Sequence, residues 1–106
     1  MAVKMIGDNE FEQEVEKSDK LTVVDFGATW CGPCKKLHKV IEEINNEQGE
    51  RVNIVEVDVG DSPNVAVKYG VASVPQLLFF KDGVVKETVV GVLSKTKIEE
   101  KIEQYL

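Results

Sequence analysis

The chain has 106 residues, thirteen of them basic and nineteen acidic, for a net charge of −6 at neutral pH. That length suits one domain with one core over 1–106, and the acidic balance argues against nucleic acid or an anionic membrane as the main partner, because phosphate is repelled. The longest apolar stretches, such as 71–80, fall far short of the ~18 residues of a spanning helix, and the opening MAVKMIGDNEFEQ lacks the apolar centre of a secretory signal. The expected home is the cytoplasm, where a purely structural disulfide is disfavoured.

In chain order, Val3 to Ile6 reads as a short edge strand. Asp8 or Asn9 is placed to cap a helix that turns Phe11 and Val15 inward. LTVVDF, after Lys20, is a nearly continuous apolar run rich in β-branched residues, the pattern of a strand covered on both faces. Leu37, Val40, Ile41 and Ile44 then recur at helical spacing, with Gly49 as a stop. VNIVEV, from Val52, is a second central strand. Ser62-Pro63 opens a short helix that Gly70 closes. LLFF, from Leu77, is a third strand. Asp82-Gly83 marks a hairpin, and VVKETVV returns antiparallel. Ser94 or Thr96 starts a last helix with Ile98, Ile102, Tyr105 and Leu106 along one side. The expected fold is α/β in the order βαβαβαββα: a mixed sheet of about five strands with helices on both faces, three layers in all.

The only two cysteines lie in WCGPCK, at Cys31 and Cys34. Such a pair is a structural disulfide, half of a metal site, or a redox couple. A disulfide across so short a loop removes little unfolded-state entropy. A zinc site wants about four ligands, and the only histidine, His38, falls off the Leu37/Ile41 stripe and reads as a surface residue. An iron–sulfur cluster shared across a dimer is the other metal reading, and it too is weaker than the redox one. Cys31 falls where a strand gives way to a helix. Unpaired N–H groups and the helix dipole there favour a thiolate, the attacking species in disulfide exchange. Cys34, one turn later on the inward stripe, is placed to attack Cys31 in turn and free a bound substrate. Pro33 stiffens the ring between them, and Gly32 leaves room for a substrate chain. Asp25 sits inside LTVVDF among apolar neighbours. A buried acid there is expected to have a raised pKa and to take the Cys34 proton.

VVDFGATWCGPCKK, KYGVASVPQLLFFKDG and VGVLSK, in that order and spacing, resemble the thioredoxin family along essentially the whole chain. The resemblance implies a thioredoxin fold and a protein-disulfide reductase that carries electrons, with Cys31 as nucleophile, Cys34 as resolving thiol and Asp25 as proton acceptor. It implies that Pro75 is a cis-proline beside the cysteines. It also implies a substrate surface made of Trp30, Gly32, Pro33, Val59, Ser73, Val74, Pro75, Val90, Gly91 and Val92, on which an extended segment pairs with the backbone of Val74. No organic cofactor is implied. The partners are disulfide-containing proteins and a thioredoxin reductase, NADPH- or ferredoxin-linked, and the chain is expected to be a monomer. Four positions depart from the commoner pattern. Gly27 replaces a tryptophan, Lys39 a helix-kinking proline, Gln76 a threonine and Glu56 a lysine. Gly27 implies looser packing beside the cysteines, and Glu56 implies a still higher pKa for Asp25 if the two carboxylates share a face. The rival readings are a non-catalytic binding subunit of the same fold and an oxidase or isomerase of secreted proteins. The missing signal and the Gly-Pro between the cysteines weigh against the latter.

Overall fold

A computed structural model describes residues 2–106 of the chain. Its strands are β1 (Lys4–Met5), β2 (Thr22–Gly27), β3 (Asn53–Asp58), β4 (Gln76–Lys81) and β5 (Val84–Val90). They form one sheet in the order β1-β3-β2-β4-β5. β1 and β2 run parallel to β3, while β4 is antiparallel to β2 and β5 to β4. Three α-helices accompany them: α1 (Gly32–Gln48), α2 (Pro63–Lys68) and α3 (Lys95–Tyr105).

Side-chain alternation along the central strands divides the core in two. Leu21, Val23, Ile54, Leu77 and Phe79 face α1 and α3, where Leu37, Ile41, Ile44, Ile98 and Ile102 meet them. Val24, Phe26, Val55, Val57, Leu78 and Phe80 face the other way, onto Phe11, Val15 and Val65. The strands thus read as unbroken apolar runs because both faces are covered. By the same alternation Asp25 and Glu56 belong to the α1 side.

The order βαβαβαββα holds, with local corrections. The first helix is a single π-helical stretch, Glu12–Glu16, closed by the Lys17 N–H on the Glu12 carbonyl. Asp8 does not cap it. The Asp8 carboxylate instead accepts from the Val65 N–H at 3.0 Å and so caps α2 from across the fold, while the Ser62 side chain makes no capping bond there. Gly49 ends α1 without a left-handed turn (φ −60°). A side chain there would press on the Asn45 carbonyl, its Cβ 2.5 Å from the oxygen. The hairpin is as expected: Asp82 (φ 53°) and Gly83 (φ 78°) make the two-residue turn between paired Lys81 and Val84. Ser94, not Thr96, caps α3, accepting from the Lys97 N–H. Leu106 is exposed rather than packed. α1 runs uninterrupted through Lys39.

The mixed strand directions bring several chain segments to one end of the sheet. Gly27 pairs with Asp58, Phe26 with Gln76, and Gln76 with Val90. The cysteines, the Val59 turn, the Pro75 loop and the end of β5 therefore converge there.

Candidate active site

Cys31 is the N-cap residue of α1, and it is joined to Cys34 by a disulfide with the Cα atoms 5.3 Å apart. The Cys34 N–H, otherwise one of the orphan donors of a helix start, points to Cys31 Sγ at 3.2 Å. Pro33 occupies the first turn, where its missing N–H costs nothing. Cys31 is thus held by the helix entrance through a direct contact, in addition to the dipole.

Burial does not separate the two sulfurs as expected. Cys31 is 9% exposed and Cys34 8%. The difference lies in what each faces. Cys31 Sγ lies 3.9 Å from the Val74 carbonyl, at the loop where a substrate strand would pair. Cys34 packs on Gly27, whose α-carbon, given a side chain, would place its Cβ 3.6 Å from the sulfur. In the disulfide state Cys31 is turned toward the Val74–Pro75 loop, which covers it.

The Val74–Pro75 peptide bond is cis. Pro75 is buried, and its carbonyl accepts from the Gly91 N–H at 2.8 Å, which ties this loop to the end of β5. Trp30, Gly32, Pro33, Ser73, Val90 and Val92 are exposed, with Trp30 at 72% and Val90 at 63%, while Val59, Val74 and Gly91 are half-buried. The Val59 N–H bonds the Gly27 carbonyl at 2.9 Å. One neighbour escaped the sequence reading. Gly60 lies under the Trp30 ring, where a Cβ would stand 3.4 Å from it, and the Asp58 carboxylate holds that turn through the Gly60 and Asp61 N–H groups. The run Asp58-Val59-Gly60 carries a turn signal that pointed to it.

Asp25 is 3% exposed, and its Oδ1 has no hydrogen-bond partner. In the β2–β3 register it sits directly beside Glu56, itself 8% exposed. Burial first, then the Glu56 charge, push the Asp25 carboxyl up to about 8. Glu56 does point the same way, and its charge makes ionisation of Asp25 harder.

His38 is not the isolated surface residue its position suggested. Its Nδ1 lies 2.6 Å from Glu56 Oε2, and its Nε2 lies 3.4 Å from Glu42 Oε1. The Glu56 hydrogen bond, opposed by burial and aided by the charges of Glu56 and Glu42, raises the His38 pKa. A cavity of about 450 Å³ opens on this side of the sheet. Asp25, Gly27, Cys34, His38 and Glu56 line it. Among the described residues no group of three or more His, Cys, Asp or Glu is placed to hold a metal ion.

The family model described as Thioredoxin matches residues 2–104. The chain belongs to the thioredoxin family. It is 46% identical to the thioredoxin of Listeria monocytogenes over 104 residues, covering 98% of this chain and 99% of that one. It is 42% identical to the thioredoxin of Bacillus subtilis over 106 residues, covering the whole of both. It is 36% identical to the chloroplastic M-type thioredoxin of Pisum sativum over 104 residues, covering 98% of this chain and 60% of that one. The five-stranded mixed sheet with helices on both faces is the thioredoxin fold. As a thioredoxin the chain is a thiol–disulfide oxidoreductase, a protein-disulfide reductase that works through the Cys31–Cys34 pair. Its partners are disulfide-containing proteins and a reductase that restores the dithiol.

Proposed function

We propose that Cys31 is the sulfur that attacks and Cys34 the sulfur that resolves, within a single domain spanning 1–106. The supporting observation is the position of Cys31 as N-cap, its sulfur accepting the Cys34 N–H. Donors aimed at a sulfur stabilise it most when it is charged. A Cys31 thiolate displaces one sulfur of a partner's disulfide and forms a mixed disulfide. Cys34 then gives its proton to Asp25 and attacks Cys31, so the Cys31–Cys34 bond forms and the second substrate thiolate leaves. Two electrons pass to the substrate.

The substrate lies across Trp30, Gly32, Pro33, Val59, Ser73, Val74, Pro75, Val90, Gly91 and Val92, its backbone pairing with Val74. These residues are small or apolar and gather at one end of the sheet, as suits a site that takes many sequences. The reaction needs no bound organic cofactor, because the electrons arrive through a thioredoxin reductase that draws on NADPH or ferredoxin. The protein works as a monomer in the cytoplasm. No helix among the described residues is long and apolar enough to cross a membrane.

One assay tests the recharging step. The oxidised protein is mixed with an NADPH-linked and, separately, a ferredoxin-linked thioredoxin reductase, and free thiols are counted. At least one of them reduces the pair catalytically, and sedimentation gives the monomer mass before and after. Thiol release with neither enzyme would contradict the assignment.

A further inference from the structure

Asp25 raises a question of traffic. It takes a proton from Cys34 in every cycle, yet it is nearly sealed from solvent. The proton has to leave before the next turnover. The neighbour of the buried acid in strand register is Glu56, which lines the same cavity, and Glu56 in turn touches His38 Nδ1 at 2.6 Å. The far side of the imidazole reaches the surface: the His38 side chain is 42% exposed, with Nε2 toward Glu42. The three groups thus lie in series from the buried carboxyl to water. Each of them both accepts and releases protons, and imidazole does so near neutral pH.

We propose that Glu56 and His38 are the route by which the Cys34 proton, once on Asp25, leaves the protein. In the resolving step the Cys34 S–H bond breaks and its proton goes to an Asp25 oxygen. The thiolate forms the bond to Cys31, and the substrate thiolate departs and is protonated by solvent. Asp25 passes a proton to Glu56, Glu56 to Nδ1 of His38, and the imidazolium releases a proton from Nε2, both after resolution and before it, since the proton that Asp25 carries at neutral pH must leave before Asp25 can take the one from Cys34. No net charge accumulates. His38 also has an electrostatic part. When protonated it offsets the Glu56 charge, so Asp25 ionises more readily than beside a bare carboxylate.

The other charges facing this region are Asp58 from β3 and Lys35, Lys39 and Glu42 from α1, while Met5 of β1 and Leu77 of β4 bring none. Lys35 and Lys39 are exposed, and neither makes a contact comparable to the imidazole's with Glu56. His38 touches neither cysteine. It is a positioning and relay residue, and it rests on the reading that Asp25 is the proton acceptor.

The test separates the two half-reactions with a chromogenic aryl disulfide and the reduced protein in stopped flow. The first thiolate released reports attack by Cys31 and the second reports resolution by Cys34. His38→Gln keeps a donor to Glu56 but carries no transferable proton. His38→Ala leaves a gap beside the cavity that free imidazole fits. The expected result is unchanged attack and resolution about tenfold slower at neutral pH in both, short of the 10²–10⁴-fold of a direct acid or base. Imidazole restores resolution in His38→Ala and not in His38→Gln. The pH inflection of resolution moves upward in His38→Gln, since Asp25 then faces an unbalanced Glu56. Glu56→Gln, which breaks the series one step earlier, slows resolution without rescue by imidazole. Normal resolution in both His38 variants, or slow resolution that imidazole leaves untouched, overturns the route. Asp25→Asn tells that failure apart from a failure of the underlying reading: if it too resolves at the native rate, Asp25 is not the acceptor at all.

Discussion

Cys31→Ser abolishes disulfide reduction, and Cys34→Ser halts it after one event with the substrate still attached. The two losses are expected to look different because the sulfurs face different things. Cys31 lies at the Val74 carbonyl, on the side of the proposed substrate surface. Cys34 lies against Gly27 and the cavity that holds Asp25. A hydroxyl at 31 is far too weak an acid to supply an anion at neutral pH, so the first bond never forms. A hydroxyl at 34 leaves the first bond intact and removes the group that breaks it. In an insulin-reduction assay both variants read as inactive, a loss of more than about a thousandfold, in keeping with removal of a nucleophile. Mass spectrometry separates them: Cys34→Ser accumulates a covalent adduct at Cys31, and Cys31→Ser accumulates none. An adduct on Cys34 in the Cys31→Ser variant, formed at the native rate, would reverse the assigned roles. The fold should survive both changes, because its two cores are built from other residues.

The second large effect is on stability and its pH dependence. Asp25 titrates near 8 in the folded protein, against about 4 in an unfolded chain. The folded state therefore binds one more proton than the unfolded state between those limits. That contribution is complete below about pH 4 and is lost as pH rises through about 8. Across the window stability falls by up to about 1.4 kcal/mol per pH unit. Asp25→Asn, which cannot ionise, removes the slope and stabilises the protein at pH 7 by roughly 2–4 kcal/mol. Denaturant titrations at several pH values read both. In parallel, the Asp25 carboxyl carbon followed by NMR moves in Glu56→Lys to lower pH by more than about one pH unit, because an adjacent cation replaces an adjacent anion. A stability profile flat from pH 4 to 8 in the native chain, or an unmoved Asp25 titration in Glu56→Lys, would remove the coupling.

Much of the fold is carried by local pattern. β2 through β5 and α1 through α3 follow from apolar runs, helical spacing and turn residues, and the Asp82-Gly83 hairpin comes from chemistry confined to two positions. The paired cysteines show their chemistry through spacing together with the helix entrance at Cys31 and the lack of further metal ligands in the sequence. What local pattern cannot carry is the meeting of distant residues. Asp8 caps α2 rather than its own helix because Val65, 57 positions away, presents an N–H to it. Glu56 lies next to Asp25 through strand register, which the sequence suggested only as a conditional. His38 falls off the buried stripe of α1, and helical spacing alone therefore puts it on the surface. The i,i+4 spacing from Cys34 nonetheless keeps it one turn along on the same flank, and its ring is long enough to reach Glu56. Gly60 beneath Trp30 and the cavity lined by Gly27 depend on tertiary packing: a turn signal at 58–60 and a glycine at 27 mark the places but not what meets there. Equal burial of the two sulfurs is likewise a property of the folded disulfide and not of the helix entrance that sets Cys31 apart.

The direct test of the whole account is which sulfur is ionised in the reduced protein. Brief iodoacetamide treatment across pH 5 to 9, with each cysteine quantified by peptide mass spectrometry, reads it. Cys31 should take the label first, at a rate that levels off well below the pH of about 8.5 where an ordinary thiol ionises, while Cys34 stays unlabelled through neutrality. Labelling of Cys34 ahead of Cys31, or of Cys31 only as fast as a free cysteine at each pH, contradicts a helix entrance that holds Cys31 as the thiolate.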